Sequence, residues 1–83
     1  MSVFLQLKGA LAEKKQRRMD LAVRIDANVK AARDILAAVT FRPVAELDIT
    51  SAAVHINEAL NLQTELKTVL EEIATIEKEL GNG

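Results

Sequence analysis

The strongest chemical signal in this 83-residue chain is a basic run, Lys14-Lys15-Gln16-Arg17-Arg18, preceded by Lys8 and followed by Arg24. A helix bearing such a run can neutralise phosphate oxygens, which makes Lys14, Lys15, Arg17 and Arg18 a candidate anion-binding set for nucleic acid. Two features of the sequence weigh against that use. No aromatic residue lies nearby to stack on bases, and the formal net charge of the whole chain is −1 rather than basic. The plainer expectation is pairing with acids elsewhere in the chain, the long stems snorkelling along apolar surface. Nucleic acid therefore stands as the second reading, because a basic run alone specifies little.

His55 and Glu58 are three residues apart, a spacing that carboxylate-bridged metal bundles use in the order Glu-x-x-His. Here the order is reversed, and the one other acid expected to point inward, Glu77, is far along the chain. A hydrogen-bonded structural histidine is the expectation, with no metal. With one His, no Cys, scattered Ser and Thr and no glycine-rich loop, the chain offers neither a nucleophile–base pair nor a phosphate cradle. These absences point away from an enzyme and away from any cofactor.

Composition narrows the class further. Hydrophobic residues are 49% of the chain but aromatics only 2%, so any interior must be built from Leu, Ile, Val and Ala. Absence of cysteine excludes a disulfide framework and suits a cytoplasmic protein. The longest apolar run, Ile35 to Val39, is far below the roughly 20 residues of a membrane span. Before the apolar residues of Ser2 to Lys8 there is no basic leader, and no small-residue cleavage site follows, so no secretory signal is expected.

The elements that would hold these residues are legible from periodicity. Leu62, Leu66, Val69, Ile73, Ile76 and Leu80 alternate steps of four and three residues, which draws one apolar row along a helix, as in a coiled-coil seam. Earlier, Leu21, Ala22, Ile25, Val29, Ala32, Ile35, Leu36 and Val39 fall within one arc of about 140°. Lys14, Arg18 and Asn28 interrupt that arc. The expected architecture is all-α: a helix over about 3–40, a turn over about 41–48 around Pro43, and a helix over about 49–80. Ser2 and Asp48 are the expected N-caps, with Leu47 placed to staple onto Ala52. Gly9 is a weak point, Val44 to Leu47 can form one turn after Pro43, and Gly81 is the expected stop ahead of a frayed Gly81-Asn82-Gly83.

A connection this short makes the two helices an antiparallel, coiled-coil-like hairpin. Charge supports that pairing: residues 1–42 carry nine Lys/Arg and four acids, residues 43–83 two Lys and eight acids, so a basic half meets an acidic one. A fold near residue 45 sets Lys14 opposite Glu77, Asn28 opposite Gln63, and Arg17 and Arg18 beside Glu71 and Glu72. One partner helix cannot cover both arcs. The surplus, drawn from Ile25, Val29, Leu36, Ile56, Leu60, Leu66, Leu70 and Ile73, is expected to bind a second copy as a dimeric four-helix bundle.

Helical hairpins of this size occur among secretion-needle subunits and secreted Trp-x-Gly proteins. The turn here, Arg42-Pro43-Val44-Ala45-Glu46, has one proline where the first group has two, and the chain has no Trp for the second. The expected function is a non-enzymatic interaction or assembly module. The alternatives are a nucleic-acid-binding or regulatory hairpin using residues 14–18, and a small subunit of a hetero-complex such as a secretion or phage component.

Overall fold

The computed structural model describes residues 2–81, which form an all-α antiparallel hairpin. Helix α1 spans Val3–Ala37 and helix α2 spans Ile49–Gly81. Two single 3₁₀ turns, Ala38–Thr40 and Val44–Glu46, connect them. The rod measures 62 × 17 × 14 Å; two helices side by side fill that cross-section, which leaves no room for an enclosed pocket among the described residues. Among the described residues no helix is long and apolar enough to cross a membrane.

The local signals explain the element ends. Ser2 accepts from the Phe4 backbone N–H at 3.2 Å. Asp48 accepts from the Ser51 N–H at 3.0 Å through Oδ1 and from the Ser51 hydroxyl at 2.6 Å through Oδ2. Those bonds, the hydroxyl's first and the backbone's second, hold the Asp48 carboxyl below its ordinary pKa by favouring the charged form.

Regular α-helix ends at Ala37, three residues sooner than periodicity suggests. Pro43 cannot continue a helix and disfavours helical backbone at Arg42, so the last turn tightens instead. The Arg42 N–H donates to Ala38 O at 2.9 Å, and the Thr40 hydroxyl donates to Ala37 O at 3.0 Å. At the other end, α2 includes Gly81 as its final residue and no glycine among the described residues has positive φ. Gly81 is therefore part of the helix rather than a left-handed stop, and Asn82 and Gly83 lie outside the described residues.

The core is one seam. The seam residues of α1, all buried or half-buried, are Leu7, Leu11, Lys14, Arg18, Leu21, Ile25, Asn28, Ala32 and Ile35. Those of α2 are Ala52, His55, Ala59, Leu62, Leu66, Val69, Ile73, Ile76 and Leu80. Both series alternate threes and fours throughout, so each helix runs a heptad with seam positions a and d. Leu21, Leu62, Val69 and Ile73 form the buried cluster, with Leu11, Ile25 and Leu66 packed against it. Around Asn28 the seam is thinner, its buried members being Ala32, Ala52 and Ala59.

The register differs from the sequence expectation. Lys14 reaches Glu72 at 3.1 Å, whereas Glu77 is met by Lys15 at 3.7 Å. Asn28 faces His55, not Gln63, at 2.8 Å. Arg17–Glu65, Arg24–Glu58 and Asn28–His55 centre the fold-back near position 41, about four residues sooner than a centre near 45, and the early end of α1 at Ala37 contributes to that shift.

Candidate functional site

Two flanks border the seam, and they differ chemically. In antiparallel coiled coils the position before each a (g) faces its counterpart on the partner helix, as does the position after each d (e). The g flank is polar. On α2 it reads Ser51, Glu58, Glu65, Glu72 and Glu79, and on α1 Arg17 and Arg24 between two small residues, Ala10 and Ala31. Arg17 contacts Glu65 at 2.6 Å and Arg24 contacts Glu58 at 3.4 Å, while Lys14 from the seam leans to Glu72. These pairs are partly exposed, so each contributes only about 0.2–1 kcal/mol. They do not by themselves fix the register, since a slip by one heptad would re-pair Arg17 with Glu72 and Arg24 with Glu65. The Asn28–His55 contact, which such a slip would break, does.

The e flank is apolar over more than half its length. It reads Ala22, Val29 and Leu36 on α1, and Ile56, Gln63 and Leu70 on α2, before ending in the Lys15–Glu77 pair. Ile56 is 48% exposed and the adjacent Leu60 57%, with Val29, Leu36 and Leu70 also exposed. Ile25, Val29, Ile56, Ala59, Leu60 and Gln63 line a shallow groove on this side. Thus the structure brings Ile25, Val29, Ile56 and Leu60 together in one groove, and leaves Leu36 and Leu70 exposed at flank positions to either side.

Two residues of the expected surface lie elsewhere. Ile73 is 3% exposed and Leu66 is half-buried, both packed in the seam. They are at positions a of the heptad, so the chain's own α1 covers them. Ile73 in particular is packed within the hairpin, and the sequence reading assigned it to two surfaces at once.

The basic run is dispersed by the helix it sits on. Lys14, Lys15 and Arg17 end at three different carboxylates, those of Glu72, Glu77 and Glu65. Arg18 is a half-buried seam residue with no carboxylate within 4.0 Å among the described residues. Glu65 and Glu58 as ion partners were missed in the sequence, although the seven-residue spacing of acids at 58, 65, 72 and 79 carries the signal.

His55 occupies a seam position and its Nδ1 lies 2.8 Å from Asn28 Oδ1. The Asn28 amide nitrogen donates to Arg24 O at 3.0 Å. Asn28 therefore presents its oxygen to His55, and His55 Nδ1 carries the proton. Glu58, the other half of the His-x-x-Glu spacing, is turned to Arg24. Among the described residues no three His, Asp or Glu side chains converge on one point.

No family model matches the chain, and neither the curated proteins nor the solved structures searched contain a match.

Proposed function

We propose that this protein is a non-enzymatic assembly module that associates with a second copy of itself through the e flank, as a dimeric four-helix bundle. The observation that carries the reading is the inequality of the two flanks. The g flank is closed by Arg17–Glu65 and Arg24–Glu58, whereas the e flank keeps Val29, Leu36, Ile56 and Leu70, with Leu60 beside them, in water. A helix that is apolar at a, d and e is patterned for two neighbours rather than one. A hairpin supplies one neighbour per helix, and a second hairpin supplies the other. A chain without cysteine suits a reducing, cytoplasmic setting for such a module.

Nucleic-acid binding is the weaker reading, because three of the four residues offered for it are already occupied by carboxylates. Binding to RNA or DNA at low salt, falling steeply as salt rises, would reinstate it.

Sedimentation equilibrium with paired variants tests the proposal. Wild type is expected to show a concentration-dependent dimer. Leu60→Glu puts two charges into the contact, one from each copy, at a cost of about 2 kcal/mol or more; that is roughly thirtyfold in Kd. Its mass should fall to that of one chain while the helical circular dichroism persists at low temperature. Ile73→Asp, in the seam, should instead abolish helicity. A wild type that stays a single chain at high concentration, or a Leu60→Glu protein of unchanged mass, overturns the reading. A wild type that is a single chain with unstable helices favours a hetero-complex subunit.

A further inference from the structure

Resting on the self-association proposed above, we infer that the two hairpins lie side by side over their whole length with both turns at the same end. In that arrangement α1 of each copy covers α2 of the other, about a twofold axis parallel to the rod.

Closed symmetry leaves two ways to press the e flanks together. With the axis across the rod, α1 lies on α1 of the second copy, α2 on α2, and the turns point in opposite directions. With the axis along the rod, α1 lies on α2 of the second copy and the turns coincide. Charge separates the two. Within Val3–Ala37 there are eight Lys/Arg and four acids, a net of +4; within Ile49–Gly81 there are two Lys and six acids, a net of −4. Packed helices are about 8–10 Å apart, close to one screening length at physiological salt, so neighbouring helices feel each other's charge. An axis along the rod gives every basic helix two acidic neighbours and puts like-charged helices on the diagonal. An axis across the rod stacks +4 on +4 and −4 on −4.

The order of residues along the flank points the same way. The Asn28–His55 contact puts Val29 level with Ile56, and heptad steps from there set Ala22 with Gln63 and Lys15 with Leu70. About an axis along the rod, each level meets itself. The apolar Val29–Ile56 level covers its own image, and the Lys15–Glu77 pairs of the two copies lie at the same end of the rod. About an axis across the rod centred on the apolar stretch, Lys15 and Glu77 fall beyond the overlap and the contact is shorter. Gln63, at mid-flank, meets the second copy's Gln63 level under the parallel axis, where two carboxamides can bond each other.

The experiment is a pair of dipolar distance measurements on single spin labels, which the absence of cysteine makes site-specific. Arg42→Cys labels the exposed turn. Gly9→Cys labels the open end, at a position where an added Cβ meets nothing within 4 Å. Side by side with turns together, both labels should report about 20–30 Å, the width of two helices plus the label arms. The crossed arrangement predicts on the order of 50 Å at both ends, from 1.5 Å per residue along the rod. Long distances from a sample that sediments as a dimer overturn this arrangement and leave self-association standing. A short distance at one end only also overturns it, because the rods would splay. A single-chain mass in the same sample overturns both the arrangement and the association beneath it.

Discussion

Lys14 discriminates between the observed register and the one that sequence alone suggested. Its Nζ lies 3.1 Å from a Glu72 carboxylate oxygen, with side chains 33% and 45% exposed. At that separation two unit charges in a water-like medium attract by about 1 kcal/mol, and solvent exposure keeps the measured value within about 0.2–1 kcal/mol. Lys14→Glu removes the attraction and substitutes a repulsion of similar size, so it should cost about 1–2 kcal/mol. For a chain of this length that is a fall in Tm of about 4–8 °C per kcal/mol. Adding Glu72→Lys should recover about 1 kcal/mol, the coupling energy of a double-mutant cycle. Adding Glu77→Lys instead should recover nothing and cost more, because Glu77 faces Lys15 at 3.7 Å. Thermal and urea denaturation followed by circular dichroism, at one fixed chain concentration, would measure all of these. The coupling should shrink in 0.5 M salt. A better rescue by Glu77→Lys than by Glu72→Lys would refute the register, and with it the placement of the turn centre.

Two further perturbations probe separate parts of the hairpin. Gly9 lies inside α1 with open space around it, so Gly9→Ala should stabilise by about 0.5–1 kcal/mol through helix propensity alone, read as a rise in Tm; a loss would mean that this turn of α1 packs against something. At Asp48 the depressed folded pKa means that its contribution is fully present above the ordinary carboxylate value and disappears as pH falls through the lower folded value. Asp48→Asn keeps a capping oxygen without the charge, so wild type should be the more stable at pH 7 and the gap should close in acid; a gap in Tm unchanged from pH 7 to pH 2 would remove the Ser51 bonds as its cause.

Much of this architecture was readable because coiled-coil order is one-dimensional. Steps of four and three residues from Leu62 to Leu80, the proline at 43 and the cap at Asp48 each have a local cause, and each is where periodicity and cap chemistry placed it. The register was not local. It depends on how far α1 runs before Pro43, and with the 3₁₀ tightening over Ala38–Thr40 the fold-back point lies about four residues before the expected centre. That shift was enough to give Asn28 to His55 and Lys14 to Glu72. Dividing the apolar arcs into seam and flank was harder still. Ile73 and Leu70 are three residues apart and both aliphatic, yet one is 3% exposed and the other 44%. Side-chain type could not separate them, whereas a heptad extended back through Ala59, His55 and Ala52 could have done so.

The placement of bulk along the seam bears on how the molecule forms. Aliphatic mass is concentrated away from the bend: Leu21 meets Leu62 in one cluster, 41 residues on in the chain, while nearer the bend the buried members are alanines. Contacts that release most free energy therefore require closure of a long loop, whereas those that close readily release little. Loop entropy grows only slowly with length, but it must be met before the reward arrives. Such a chain should search for its native pairing more slowly than a hairpin zipped from its bend. Once closed, it should open first at the bend, the region where Val29, Leu36 and Ile56 are still uncovered.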